Sequence, residues 1–217
     1  MERTIREVYR GAGLSGLVLR ATAKLLRPLV EIGSLVFFEC DLRVPLPTVP
    51  PVGGIQFTEL TLDDLHLFEP AGPRPVERAR ERFQRGERCF AGIETGTGRL
   101  VNYRWMTAVA GYIPEIDRYL SLRTGEAYIY DLETLPEFRN RGIDSYLRYL
   151  TYSQLQQRGF TRVYAYVLGE NYISLKSVRR LLKRSGRIWY VRSRGGSSHY
   201  LVEPGSHLPE LRPGGRR

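Results

Sequence analysis

The run Tyr128–Tyr149, YIYDLETLPEFRNRGIDSYLRY, constrains this chain more than any other stretch. A strand runs into Pro136, a short basic loop follows, and a helix begins directly after Gly142. The N–H groups of such a loop and of the first helical turn point outward without intrahelical partners. The helix dipole favours negative charge at that end. Arg139 and Arg141 add guanidinium donors suited to phosphate oxygens, and Gly142 permits close backbone approach. The segment therefore reads as an anion site.

The rest of the chain supplies a mixed α/β frame. Residues 1–30 read as a basic amphipathic helix, with Leu14, Leu17, Val18, Ala21, Leu25 and Leu29 at three- and four-residue steps and Pro28 as its stop. Leu35–Leu42 reads as a short strand. Pro45–Gly54, rich in proline, reads as a linker and sets a boundary. Strands are expected at 55–60, 89–94, 100–108, 126–135 and 163–168. Thr61 caps a helix starting LDDLHLF, and further helices are expected at 74–85, 143–158 and 172–184. A final hairpin joins 188–194 to 199–203, and the tail beyond Pro204 reads as loose. The expected organisation is an N-terminal piece over 1–50, a catalytic domain over 51–205 and a flexible tail over 206–217.

Composition narrows the chemistry. The chain has 217 residues, 42% of them hydrophobic, enough for a real core. Its 33 basic and 23 acidic residues give a net charge of +10, which calls for an anionic partner. Cys40 and Cys89 fit neither a disulfide framework nor a zinc site and read as free buried thiols; no metal is expected. No apolar stretch is long enough to span a membrane, and no secretory signal is evident, so a cytoplasmic location is expected. Gly11–Gly16 satisfies G-x-G-x-x-G but lacks the preceding buried strand of a dinucleotide fold. From Lys176 to Arg194 eight basic residues occur with no acidic one. They read as a solvated face, as contacts to a cofactor phosphate, or as a dock for an acidic acyl carrier protein or an anionic membrane surface. Nothing resembles a nucleic-acid recognition element, so none is expected as a partner.

The order Leu132-Glu133-Thr134-Leu135-Pro136-Glu137-Phe138-Arg139-Asn140-Arg141-Gly142-Ile143-Asp144 resembles the acetyl-CoA motif of the GCN5-related N-acetyltransferase superfamily, roughly L-x-V-x-P-e-[YF]-R-g-[RK]-G-[IL]-[GA]. The strand 162–168 followed by Asn171 and Ser174 is similar to that family's next strand and N-x-x-[AS] helix start. With the upstream order of elements, the resemblance covers about residues 55–203. It implies a mixed central sheet with flanking helices, here with a helical N-terminal extension, and acetyl-CoA or another acyl-CoA as co-substrate. Coenzyme A would lie where the strand through Leu132 splays from the strand through Val167. Leu132, Thr134 and Leu135 would pair with pantetheine amides, Arg139, Asn140, Arg141, Gly142, Ile143 and Asp144 would hold the pyrophosphate, and Asn171 and Ser174 would line the pantetheine arm. The reaction would be direct acyl transfer to a primary amine.

Such a transfer needs a base for the ammonium and a donor for the oxyanion. Asp131 and Glu133 are the candidate bases; two residues apart on one strand they share a face unless a bulge intervenes. Glu170 is a third candidate. Three positions depart from the family pattern. Asp144 stands where a small residue is usual, Val178 stands at the usual position of a general-acid tyrosine, and Arg187 replaces the aromatic after Gly186. Long-chain or carrier-borne acyl transfer is the first alternative, and a non-catalytic module binding coenzyme A or another anion is the second. The N-terminal helix is expected to pack on the domain, to form a homodimer, or to lie on a membrane.

Overall fold

The structure, a computed structural model, describes residues 30–193 and 197–214. The helix read before Pro28 and the Gly11–Gly16 motif lie outside those residues. Among the described residues eight strands form one mixed sheet. They are β1 (Val30–Asp41), β2 (Ile55–Leu60), β3 (Arg88–Glu94), β4 (Leu100–Thr107), β7 (Glu126–Thr134), β8 (Arg162–Leu168), β9 (Lys183–Ser193) and β10 (Ser198–Val202), in the order β10-β9-β1-β8-β7-β4-β3-β2. Every neighbouring pair is antiparallel except β7 and β8, which are parallel. A smaller sheet pairs β11 (Leu211–Pro213), β6 (Arg118–Ser121) and β5 (Ala110–Ile113).

The strand after Val30 is a departure from expectation with a clear cause. It is 12 residues long and sits inside the sheet between β9 and β8. Leu35, Val36, Phe37 and Phe38 are all buried, alternate ones belonging to the cores on opposite faces. A continuous apolar run is what a strand covered on both faces requires. β1 thus pairs with two strands that follow residues 45–54 in the chain. That proline-rich segment carries the chain from one end of β1 across α2 (Ile143–Gln157) to the far sheet edge. Gln156 Nε2 fixes its start by donating to the Leu42 and Val44 carbonyls at 2.6 and 3.1 Å.

Two other expectations change. The helix expected over 172–184 stops early, giving α3 (Tyr172–Val178), because Lys183 onward pairs with β1 from Glu39↔Lys183. The tail expected to be loose returns instead as β11, pairing Leu211–Pro213 with β6. β5 and β6 answer to no expected element, whereas the others lie where the sequence reading puts a strand or helix. Thr61 forms a capping box with Asp64, although the turn it starts, Leu62–Ala71, is a 3-10 helix, and α1 spans Pro73–Gln84.

The sheet separates the cores packed on its two faces. On one face α2 and α3 cover Val36, Phe38, Phe90, Met106 and Ile129. α2 lies so close to β3 that a Cβ at Gly92 would stand 2.4 Å from Leu147 Cδ1. On the other face the 3-10 turn and α1 cover Trp105, Cys89 and Leu60. The smaller sheet covers Phe37, Tyr128, Tyr164 and Ile188 beside them. Between α1 and the smaller sheet this second face stays partly open. Among the described residues no helix is long and apolar enough to cross a membrane.

Candidate active site

Parallel pairing of β7 with β8 ends after Tyr128↔Tyr164, and the two strands then part. The gap between them opens into a cleft of about 2040 Å³ that reaches both faces of the sheet. Its lining includes Ile129–Thr134 on one strand and Ala165–Leu168 on the other.

The segment read from the sequence as an anion site forms the α2 side of the cleft. Asn140 and Gly142 both have positive φ, +63° and +78°, and together they turn the chain sharply into α2. At Gly142 a side chain would be strained. Gly142 is the N-cap and no side chain caps the helix, so the first-turn N–H groups are left for a ligand. Arg139, Asn140, Gly142, Ile143 and Asp144 line this wall, with Asn171, Ser174, Lys176 and Arg180 facing them. Arg139 is oriented by an Nε donation of 2.9 Å to the Thr134 carbonyl.

Several expected cofactor contacts are redistributed. Arg141 is absent from the lining; its guanidinium stacks on the Phe138 ring at 5.2 Å, so only Arg139 of the loop pair faces the cleft. Leu135 is also outside, packed among Val101, Phe138 and Ile143, with its N–H given to the Val101 carbonyl. Asn171 lines the cleft but its Oδ1 accepts from Ser174 N at 3.2 Å, capping α3. The Asp144 carboxylate is engaged by neighbouring side chains. It turns beneath the helix, where Arg148 Nη2 donates to it at 2.7 Å, Ser177 Oγ at 2.8 Å and Arg104 Nη2 at 3.3 Å. Burial pushes its pKa up, but Arg148, Arg104 and the Ser177 hydroxyl outweigh burial and hold it below the ordinary carboxylate value.

The other side of the cleft holds the candidate bases. Between Tyr103↔Glu133 and Trp105↔Tyr130 the register slips, so β7 carries one extra residue. Asp131, with φ +43°, lies in this bulge. Despite the bulge, Asp131 and Glu133 reach the same face. Arg82 of α1 lies 5.0 Å over both the Trp105 and Tyr130 rings and pairs with Asp131 Oδ2 at 2.5 Å. Glu133 Oε2 accepts from the Tyr103 hydroxyl at 3.0 Å. Asp131 is thus tied to a cation, whereas Glu133 holds a neutral hydroxyl. Glu170 does not line the cleft; it lies near enough to Tyr190 to help raise that residue's pKa.

Tyrosines floor this half. Tyr128 and Tyr130 stack at 5.4 Å, and Tyr166 stands 6.2 Å from Tyr128. Tyr130 donates to Glu87 and Tyr166 to Glu115, the latter at 2.8 Å. Burial first, then neighbouring carboxylates for Tyr103 and Tyr166 and the Tyr166 hydroxyl for Tyr128, pushes these hydroxyls up, so they stay protonated donors at neutral pH. Val178, the last residue of α3 and the position where the family pattern has its general acid, is buried in the core. Arg82, Arg104, Tyr103, Glu87 and Glu115 were not singled out from sequence. Only Arg148 carried a signal, its i,i+4 spacing from Asp144.

No protein-family model and no curated protein matches this sequence. Solved structures do match. A GCN5-related N-acetyltransferase from Sphaerobacter thermophilus superposes with a TM-score of 0.56 at 18% identity, over 91% of this chain and 59% of its own. A tandem protein of the same family from the clavulanic acid biosynthesis pathway gives 0.53 at 15%, over 80% and 58%. An acetyltransferase of that family from Colwellia psychrerythraea gives 0.52 at 12%, over 76% and 56%. The chain thus spans less than two thirds of each of these proteins. The fold is that of the GCN5-related N-acetyltransferases.

Proposed function

We propose that the chain is a coenzyme-A-dependent N-acyltransferase that moves an acyl group, acetyl by preference, to a primary amine within a ternary complex. The observation that carries this reading is the parting of β7 from β8 directly beside the uncapped N-terminus of α2. Pantetheine in the gap would meet the free edge of β7, and the pyrophosphate would meet Arg139 and the N–H groups of residues 142–145. Lys176 and Arg180, on the facing wall, suit the remaining phosphate.

Glu133 is the base in this reading. Its carboxylate faces the cleft without a cation bound to it, whereas proton removal by Asp131 would compete with the Arg82 pair. Asp131 would instead hold Arg82 and shape the acceptor wall. The attacking amine loses a proton to Glu133 and its lone pair adds to the thioester carbonyl. The carbon–sulfur bond then breaks and the thiolate leaves. An N–H at the bulge of β7 is suited to the oxyanion. The amine suits a wall lined by Glu87, Glu115, Asp117, Asp131 and Glu133 and by tyrosine rings.

Release of free thiol from acetyl-CoA, measured across a panel of mono- and polyamines, tests the activity. The expected result is amine-dependent release. Release only from palmitoyl-CoA or from an acylated carrier protein would move the reading to long-chain transfer. Tight coenzyme A binding without release from any donor would leave a binding module.

A further inference from the structure

The anion wall rests on a buried charge cluster whose members come from two elements, β4 and α2. Arg104 of β4 is 0% exposed and Arg148 of α2 is 6% exposed. One carboxylate, Asp144, stands between them and accepts from both. Arg104 Nη2 also donates to Asn102 Oδ1 at 3.0 Å and to the Asp144 carbonyl at 3.2 Å. Arg104 Nε and Nη1 and Arg148 Nη1 are buried with no hydrogen-bond partner. Two guanidiniums against one carboxylate leave one positive charge in excess beneath the first turn of α2. Burial makes the Arg104 charge costly enough to lower its pKa to about 10.

A cluster serving the fold alone would gain nothing from the second arginine, since an unpaired buried charge is destabilising. A charge in excess acts outward. Arg148 lines the cleft, and the interior between the cluster and the uncapped helix end screens it far less than water would. Arg104 reaches the backbone of the first turn itself through the Asp144 carbonyl. This also accounts for Asp144 standing where related motifs have a small residue. Without it both arginines would be uncompensated.

We propose that Arg104 and Arg148 are positioning charges for an anion held at residues 139–144, and that Asp144 sets how much of their charge reaches it. The inference rests on the coenzyme reading only for the identity of that anion. Inorganic pyrophosphate is therefore the probe, titrated into the full chain by phosphorus NMR at low salt, with the urea unfolding midpoint recorded for each variant. Asp144→Asn removes the counter-charge and is expected to bind pyrophosphate about three- to tenfold more tightly while unfolding earlier. Arg104→Met and Arg148→Met are expected to bind it more weakly by a similar factor. Arg148→Lys, which keeps the charge and loses the fork, is expected to stay within about twofold of the native chain.

A purely structural cluster would weaken binding in Asp144→Asn as in Arg104→Met, and would weaken Arg148→Lys as much as Arg148→Met. Either pattern overturns the inference, and the second decides it if Asp144→Asn does not fold. Absence of pyrophosphate binding by the native chain also overturns it. Coenzyme A titrated in parallel separates the two readings. Binding of pyrophosphate with the expected variant pattern, but not of coenzyme A, would keep this inference and remove the coenzyme.

Discussion

The wall of the cleft beside α2 sets Arg139, Arg148, Lys176 and Arg180 against Asp144 alone, whereas the wall toward α1 and the smaller sheet sets Glu87, Glu115, Asp117, Asp131 and Glu133 against Arg78, Arg82 and Arg85. One wall is cationic and the other anionic, within a chain of net charge +10. The overall charge therefore says little about the acceptor, because the cleft divides its own charge by function. The walls also differ in origin. The cationic wall combines the loop that runs from Arg139 into α2 with α3 and the turn after it. The anionic wall is gathered from α1, the smaller sheet and the bulge of β7.

The sharpest way to break the comparison is on the anionic wall. Glu133→Gln is expected to lower turnover roughly 10²- to 10⁴-fold while leaving coenzyme A affinity unchanged. Asp131→Asn should cost less than tenfold in turnover and show its main effect as lost stability, since Arg82 would lose its carboxylate. Steady-state thiol release separates them, and equal losses would contradict the assignment of the base. Next in size is Asp144→Ala. Removing the carboxylate from two buried arginines is expected to destabilise the fold by about 3–5 kcal/mol in urea unfolding. The pH dependence has a definite sign. Asp144 is held below its ordinary value of 3.8, so its stabilising contribution is present above that pH and is lost as pH falls below it. Asp144→Asn should flatten this acid limb.

Smaller effects test the cationic wall. Arg139→Ala is expected to weaken coenzyme A binding about tenfold by calorimetry, as loss of a charge-assisted contact. Arg141→Ala, whose guanidinium lies on Phe138 outside the cleft, should change it less than twofold. Equal effects for the two would show that Arg141 swings into the site when ligand binds.

The contrast between walls also explains what could be read in advance. Pro136, Arg139, Gly142 and the helix after them interact within a few residues, so the loop and the helix start after Gly142 are legible in the sequence. Arg82 meets Asp131 across 49 positions and Arg104 meets Asp144 across 40, and no local pattern announces such pairs. Even within the loop the sequence could not tell that Arg141 would prefer an aromatic face to the cleft. β5 and β6 have only four residues each, too short for a clear alternation to announce them. Leu35–Leu42 reads as a strand, but the prolines after it point to a boundary. Burial on both faces, which its run LVFF requires, is what sets it inside the sheet.

A crystal structure of the chain grown with acetyl-CoA tests the two-wall account most directly. The account predicts the pyrophosphate on the N–H groups of residues 142–145 beside Arg139, pantetheine between β7 and β8, and the acetyl group directed toward Glu133 and the tyrosine floor. A thioester directed away from Glu133, or a pyrophosphate seated on other cations with the α2 N-terminus empty, would contradict it.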